Sequence, residues 1–460
     1  MVIQKRFYKV HFVGIGGIGM SGIAELLHNL GYEVSGSDLK ESENTRRLAT
    51  MGCTIHYGHH ADHVKGAHVA VMSSAVHPDN PEIVAARNLQ IPVIPRAEML
   101  AELMRMKQGI AIAGSHGKTT TTSLIATILN HAELDPTIVI GGKLNSIGGN
   151  ARLGEGDYLV AEADESDGSF LKLNPILAII TNIDPEHMEH FKTMDNLREA
   201  FISFANKVPF YGAAIVCLDH PEIQRILPKI QKRIVTYGVS TQADFQATNI
   251  RQEEFETIFD LTIRQVPSGE IRVRMPGRHN ALNALAAIAT AQELGIDLDT
   301  TKAALHAFEG IQRRFQLRHN INDILIIDDY GHHPREIEAT LKAAKAGWNR
   351  RVIAVFQPHR YTRVRDLSDE FHRCFYEADK LIVTDIYPAG ELPIEGVHAK
   401  NIYEGILHHG HRDVTYIPNK EEIASALASI VQPNDMVITL GAGDIWRVGE
   451  ELARYLEKTK

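Results

Sequence analysis

The chain has 460 residues, a length that suggests about three domains rather than a single core. Hydrophobic residues at 44% and charged residues at 23% are ordinary for a globular protein and exclude disordered and fibrous classes. A net charge of -9 argues against a nucleic-acid surface, so any anionic ligand must be met by local clusters of cations. In chain order, residues 8–13 form a strand pattern that runs into Gly14-Ile15-Gly16-Gly17-Ile18-Gly19-Met20, followed by a helix over 21–30 and a second strand over 32–37 that ends at Asp38. The spacing is that of G-x-G-x-x-G with an acid about 20 residues on, the dinucleotide fingerprint. A glycine turn facing a helix N-terminus holds any diphosphate, that of a UDP-sugar included, and the motif alone leaves both readings open. Strands are predicted at 68–72 and 92–95. Ser73 and Ser74 follow the first of these, at a strand end where open α/β sheets bind ligands and where simple turn residues also belong. A helix over 97–106 and Lys107-Gln108-Gly109 mark a first boundary.

Gly114-Ser115-His116-Gly117-Lys118-Thr119-Thr120-Thr121-Thr122 follows the apolar run 110–113 and precedes Leu124, Ile125, Ile128 and Leu129 at helical spacing. Strand, tight turn and helix N-terminus aim backbone N–H groups and the positive end of the helix dipole at one point. A lysine adds full charge and a threonine hydroxyl suits Mg²⁺, so the ligand that fits is a nucleoside triphosphate. The loop departs from G-x-x-x-x-G-K-[ST], because Ile112 stands where the first glycine belongs. A strand over 157–161 then ends in Glu162-Ala163-Asp164-Glu165-Ser166-Asp167, four carboxylates in six residues. Such a cluster suits a solvated loop or, downstream of a phosphate turn, a Mg²⁺ site. The strand 176–180 ends in Thr181-Asn182-Ile183-Asp184-Pro185-Glu186-His187.

A helix over 200–207 and strands at 213–218 and 234–237 follow, and the alternation over 245–274 predicts antiparallel hairpins. A helix over 281–294 begins after Gly277-Arg278-His279-Asn280, where Asn280 and Asn283 suit either a nucleoside or a helix cap. Gly310-Ile311-Gln312-Arg313-Arg314-Phe315 marks a second boundary, where a hinge cation can reach a phosphate on closure. The strand 324–327 leads to Asp328-Asp329-Tyr330-Gly331-His332-His333-Pro334 and a helix over 335–346. The strand 351–356 leads to Gln357-Pro358-His359-Arg360-Tyr361-Thr362-Arg363, whose arginines suit a carboxylate. Strands at 381–384 and 436–440 complete a third parallel sheet. The expected fold is therefore α/β in three domains with mostly parallel sheets. Residues 1–106 are Rossmann-like, 107–312 are P-loop ATPase-like with a small antiparallel addition, and 313–460 are again Rossmann-like. Two phosphate cradles and a carboxylate clamp suggest ATP-driven activation of a carboxylate. An acyl phosphate forms and an amine then attacks it, with catalysis mainly by positioning and charge neutralisation.

Cys53, Cys217 and Cys374 are far apart and odd in number, which gives neither a disulfide framework nor metal-ligand spacing. With no apolar run of membrane length, a cytoplasmic protein without membrane insertion is expected, as a monomer or weak homodimer.

Seven motifs, in order, resemble the Mur ligases: G-x-G-G-I-G-M-S-G-I-A-E from Gly14, G-S-H-G-K-T-T-T from Gly114, E-A-D-E-S-D from Glu162, N-x-x-P-x-H from Asn182, G-R-H-N-x-x-N from Gly277, D-D-Y-G-H-H-P from Asp328 and Q-P-H-R-Y-T-R from Gln357. The resemblance spans all three domains and implies that ATP and Mg²⁺ drive the joining of L-alanine to the carboxylate of UDP-N-acetylmuramate in peptidoglycan synthesis. It assigns the UDP-sugar to Gly14, Gly16, Gly17, Gly19, Met20, Ser21, Asp38, Ser73 and Ser74. The ATP phosphates fall to Gly114, Ser115, His116, Gly117, Lys118, Thr119 and Thr120, with Lys118 on the β and γ phosphates and Thr119 on Mg²⁺. Glu162 is the implied carboxylate on that ion, with Glu165 the alternative, and His187 serves a second Mg²⁺. His279, Asn280 and Asn283 would contact adenosine, Asp329 the ribose and Arg314 the γ-phosphate. Tyr330, His332, His359, Arg360 and Arg363 would surround L-alanine, and Lys118, His187, Arg314 and His332 form the implied catalytic set. Several relatives carry a carbamylated lysine near the metals; the matching helix here reads Ala200-Phe201-Ile202-Ser203, so none is expected. The rival readings are a ligase that attaches an intact tripeptide, a folate polyglutamate synthetase and, from another class, a dinucleotide-binding dehydrogenase or sensor.

Overall fold

The computed structural model describes residues 8–73, 75–144 and 149–458, so the expectation for Ser74 lies outside the described residues. The first sheet holds β1 (Lys9–Val13), β2 (Glu33–Asp38), β3 (Thr54–Tyr57), β4 (Val69–Met72) and β5 (Val93–Pro95), in the order β3-β2-β1-β4-β5. All of its pairings are parallel. The chain leaves β1 for β2 on one side and later returns to β4 on the other, which makes the carboxyl end of β1 the topological switch point.

The second sheet comprises β6 (Gln108–Ala113), β7 (Thr137–Leu144), β8 (Gly149–Arg152), β9 (Tyr158–Glu162), β10 (Leu177–Ile180), β11 (Ala213–Cys217), β12 (Ile234–Gly238), β13 (Phe245–Glu253), β14 (Glu256–Ile263) and β15 (Val266–Val273). Its order is β15-β14-β13-β12-β11-β10-β6-β9-β7-β8. Strand β6 lies parallel between β10 and β9, so three loops leave the same edge side by side. Residues 109–113 and all of β10 are buried, the continuous apolar pattern of a strand covered on both faces. The helix Lys118–His131 after β6 buries nine of its residues, Leu124, Ile125, Ile128 and Leu129 among them. Strands β13, β14 and β15 follow one another through two-residue turns, with positive φ at Glu254, Arg264 and Gln265. Two residues reverse a chain but cannot cross it over, so this is the expected antiparallel addition.

The third sheet holds β16 (Gln316–Ile321), β17 (Ile324–Asp329), β18 (Arg351–Phe356), β19 (Lys380–Val383), β20 (Val414–Tyr416) and β21 (Asp435–Leu440), in the order β16-β17-β21-β18-β19-β20. It is parallel except for β16, which pairs antiparallel with β17, in keeping with the expected mostly parallel sheets. Alternate residues feed two cores: Ile327, Ala354, Phe356 and Leu440 on one face, Ile326, Ile353, Val355 and Val437 on the other. By contacts the chain groups into two compact units. One is 1–248 with 260–271 and 282–309; the other is 310–460 with 249–259 and 272–281. Cys53, Cys217 and Cys374 are free thiols, all buried.

Candidate active site

In the first unit, β1 turns at Gly14, whose φ of +82° favours glycine. The N–H groups of Gly14 and Ile15 donate to the Ser37 carbonyl at 2.9 and 3.0 Å, and that of Gly16 donates to Asp38 Oδ2 at 2.8 Å. A Cβ on Gly16 would stand 2.8 Å from the same carboxylate oxygen, so only glycine lets Asp38 approach. The turn opens on a cavity of about 580 Å³ at the carboxyl ends of β1, β2 and β4, lined by Gly14, Gly16, Gly17, Asp38, His59 and Ser73 among others. Gly17 caps the helix Ile18–Asn29 without a side-chain bond, which leaves that helix end electropositive. Gly19, Met20 and Ser21 are not part of the lining. Met20 and Ser21 are buried in the helix, and a Cβ on Gly19 would meet Arg96 Nη1 at 2.8 Å.

Behind this cavity Glu82 is fully buried and is approached by His63 Nδ1 at 2.7 Å, His59 Nδ1 at 3.4 Å, His11 Nε2 at 3.6 Å and Ser37 Oγ at 2.5 Å. Burial alone would raise its carboxyl pKa, but the bonds from His11, Ser37 and His63 outweigh that and hold it at about 2. Nothing in the sequence pattern flagged Glu82.

In the phosphate turn, Gly114 and Gly117 take φ of +134° and +82°. Added Cβ atoms would come within 2.1 Å of Thr181 Oγ1 and 2.6 Å of Asn283 Oδ1, so both positions require glycine on two counts. The loop is pinned from β10: His116 N–H donates to Asn182 Oδ1 at 2.8 Å, Thr181 Oγ1 donates to the His116 carbonyl at 2.6 Å, and Asp184 N–H donates to Ser115 Oγ at 2.8 Å. Thr181, Asn182 and Asp184 thus position the turn. Lys118 donates to both Glu165 oxygens at 2.9 Å and to the carbonyls of Gly114 and Ser115. Burial would lower its pKa; the Glu165 charge overrides that and raises it, so the ammonium is retained.

One ligand atom each from Glu165, Glu186 and His187 lie within 4.8 Å of one another. The geometry therefore sets Glu165 beside His187. Glu162 ends β9 as the register partner of Ile112. His187 sits at φ +56°, an uncommon conformation for a residue with a side chain, and such strain concentrates at functional sites. Asp184 bridges His116 and His220 at 3.4 Å each, and Glu186 lies 3.3 Å from His116. Glu186 and His220 are further strand-end groups that the motif reading passed over. Thr119 is half-buried and Thr120 buried at the helix start, and Asn283 accepts from Thr121 Oγ1 at 3.3 Å.

In the second unit the loops after β17, β18 and β19, with the segment before β16, form a cluster of rings and cations. His332 packs 5.3 Å from Tyr330 and 5.6 Å from His359, which stacks on Tyr387 at 5.6 Å. Arg363 Nη1 donates to His359 Nδ1 at 3.2 Å. Burial holds His332 at about 3 against the opposing charge of Glu336, and burial with Arg363 and Arg360 holds His359 at about 4. Both rings are neutral at neutral pH, so Arg360 and Arg363 supply the positive charge here. Arg314 lies 5.4 Å over the Tyr330 ring and 3.5 Å from Glu336, while Arg313 bonds Asp328 at 2.9 Å and the Gly441 carbonyl at 2.6 Å. Asp329 is buried and accepts from the N–H groups of Phe315 and Gly331 at 2.7 and 2.8 Å, an arrangement that organises the turn. Asn280, in the first turn of the helix Arg278–Glu293, donates to the Pro276 carbonyl at 2.8 Å, while His279 is exposed.

Family models match three consecutive parts of the chain: "Mur ligase family, catalytic domain" at 9–108, "Mur ligase middle domain" at 112–291 and "Mur ligase, glutamate ligase domain" at 313–443. The chain is 57% identical over 449 residues to a UDP-N-acetylmuramate–L-alanine ligase of Syntrophotalea carbinolica, covering 98% of each chain. It is 59% identical over 452 residues to the ligase of the same name from Geotalea uraniireducens, covering 98% of this chain and 99% of that one. Among solved structures it is similar to the UDP-N-acetylmuramate-alanine ligase of Thermotoga maritima, with a TM-score of 0.83 at 30% identity over 98% of this chain and 100% of that one. A murein peptide ligase from Psychrobacter arcticus is similar at a TM-score of 0.70 and 25% identity, over 98% of both chains. With these identities over nearly its whole length, the chain belongs to the Mur ligase family.

Proposed function

We infer that this enzyme joins L-alanine to the carboxylate of UDP-N-acetylmuramate, converting ATP to ADP and phosphate, as a step of peptidoglycan synthesis. The observation that carries this reading is 57–59% identity, over nearly the full length of both chains, to ligases that bear that name. We read Gly14 to Gly19 as a UDP-sugar turn rather than a dinucleotide turn, and the family match over 9–108 supports that reading.

In the reaction, a carboxylate oxygen attacks the γ-phosphorus of ATP and the bond to ADP breaks. The alanine amine then attacks the resulting acyl carbonyl and phosphate leaves. Lys118, whose ammonium stays charged, neutralises the β and γ phosphate oxygens where their charge grows. The uncapped N-terminus of Lys118–His131 adds N–H donors at the same point. Glu165 and Glu186 offer hard oxygen donors of the kind Mg²⁺ takes and His187 adds a nitrogen, with the Thr119 hydroxyl at the helix start the further donor proposed. An ion held there would supply positive charge against the transferring phosphoryl oxygens. Glu162 remains the other carboxylate proposed for that ion.

Arg360 and Arg363 hold the alanine carboxylate. His332 Nδ1 lies 3.0 Å from the Tyr330 carbonyl and carries the hydrogen, which leaves Nε2 as an uncharged acceptor for the amine. Arg314 serves the γ-phosphate, Asp329 the ribose, and His279, Asn280 and Asn283 the adenosine. The same reading divides the chain at 106/107 and 312/313 and holds the enzyme to be cytoplasmic, as a monomer or weak homodimer. Among the described residues no helix is long and apolar enough to cross a membrane.

Phosphate release, measured with ATP, UDP-N-acetylmuramate and either single amino acids or a tripeptide, tests the assignment. Release must depend on L-alanine; release only with the tripeptide would transfer the enzyme to the murein peptide ligases.

A further inference from the structure

Arg360 takes φ +69° and ψ 136°, a combination that residues with a side chain rarely adopt. It is also the N-cap of the short helix Tyr361–Asp366, yet its side chain makes no capping bond. What holds it comes from 385–391, a segment that no motif covers. The Arg360 N–H donates to the Tyr387 carbonyl at 2.9 Å and the Tyr387 N–H to the Pro358 carbonyl at 2.8 Å, a parallel bridge that flanks His359. The chain then reverses at Ala389 and Gly390, with φ of +49° and +86°, and Glu391 N–H closes the turn on the Pro388 carbonyl at 2.9 Å. That reversal sets the Glu391 carboxylate on Thr362. Oε2 accepts its N–H at 3.0 Å and Oε1 its hydroxyl at 2.6 Å. Glu391 therefore caps the helix from a distant part of the chain.

Tyr387 completes the grip. Its ring stacks on His359 at an interplanar angle of 8°, and a Cβ on Gly443 would meet it at 2.8 Å. Two backbone bonds, one stacked ring and one bidentate carboxylate thus converge on a loop of five residues. We propose that Glu391, with Tyr387, is a positioning residue that holds Arg360 and Arg363 in the geometry needed to clamp the carboxylate of the incoming amino acid. This rests on the reading of those arginines given above. In this role Glu391 acts through Thr362 and the strained Arg360 backbone. Its loss should therefore weaken amino-acid binding and leave both nucleotide substrates alone.

The full-length chain carrying Glu391→Ala or Glu391→Gln provides the test. For Glu391→Ala the KM for L-alanine is expected to rise about tenfold or more, with those for ATP and UDP-N-acetylmuramate within about twofold. Glu391→Gln keeps an acceptor oxygen for the Thr362 N–H, so its L-alanine KM should stay within about threefold of the parent. An unchanged L-alanine KM, an equal rise in all three constants, or a Gln variant as poor as the Ala variant each overturns the proposal. Amide hydrogen exchange at Thr362 gives a readout free of substrate: it should speed up about tenfold in Glu391→Ala, and unchanged exchange refutes the positioning role. If the parent enzyme fails to use L-alanine at all, the functional reading falls on its own account and the exchange rate still decides the positioning claim.

Discussion

Two turns in the first unit share one local grammar and differ in the charge set beside them. Both run from a buried parallel strand through a left-handed glycine into a helix whose cap glycine, Gly17 or Gly117, makes no side-chain bond. At the first, the carboxylate of Asp38 sits on the Gly16 N–H. At the second, the ammonium of Lys118 folds across the loop onto Glu165. A glycine turn by itself specifies only that an anion can approach backbone N–H groups. The neighbouring charge decides what kind. A lysine that stays protonated suits a triphosphate whose charge grows during reaction. An acid at the end of β2 suits a ligand that brings hydroxyl or amide donors alongside its diphosphate, as a nucleotide sugar does.

That contrast is open to attack from both sides. Removing the cation should have the largest effect: Lys118→Ala is expected to lower kcat by about a thousandfold while UDP-N-acetylmuramate still binds in calorimetry. Appreciable turnover would remove the second turn from the chemistry. Arg360→Lys touches neither turn and serves as the reference. It should raise the L-alanine KM about tenfold and leave both nucleotide constants unmoved, because a lysine cannot fork to two oxygens. Gly16→Ala sets a methyl against Asp38 and should weaken UDP-N-acetylmuramate binding severalfold, about fivefold, with ATP affinity intact. Matching losses of both ligands would mean that the two turns are not independent.

The smallest effect concerns pH and the ground behind the first turn. The Glu82 carboxyl is held at about 2, below its ordinary value of 4.5, so its contribution to stability is fully present above 4.5 and is lost as pH falls toward 2. Thermal unfolding between pH 7 and 3 should show a falling Tm. Glu82→Gln, less stable at pH 7, should show a flatter decline. Parallel curves for the two chains would assign the acid sensitivity elsewhere.

Much of this was legible in the residues. The long apolar strands β6, β10, β18 and β21 announce themselves, because a parallel strand buried on both faces has little polar sequence to hide it. The phosphate turn is equally plain, since Gly117, Lys118 and Thr119 follow such a strand. Less visible were β3, β16 and β20, edge strands with partly exposed residues such as Thr54, Tyr57 and Leu317, which look like loop until a neighbour supplies the ladder. The helix after Thr193 begins at Met194, well before 200, because its start is set by the Thr193 side chain accepting from Asn196 N–H, a cap with no apolar signature. The Lys118–Glu165 pair was beyond sequence for the same kind of reason: which carboxylate of 162–167 meets Lys118 depends on how the chain turns after β9. Glu82, His220 and Glu391 lie outside any pattern, since each meets chain remote in sequence, and Glu186 stands at an unspecified position of the motif from Asn182.

The three thiols carry a practical consequence. Cys53 precedes β3, Cys217 ends β11 and Cys374 lies in the core of the third sheet, so each sheet owns one sulfur, and each sulfur is 4–6% exposed. Burial pushes Cys53 up to about 11 and Cys217 to about 12, and also raises Cys374 well above the ordinary thiol value, so an alkylating reagent meets no thiolate until the local structure opens. The rate at which each cysteine is captured in a timed labelling experiment is therefore a separate clock for the opening of each layer, already installed in the unaltered chain.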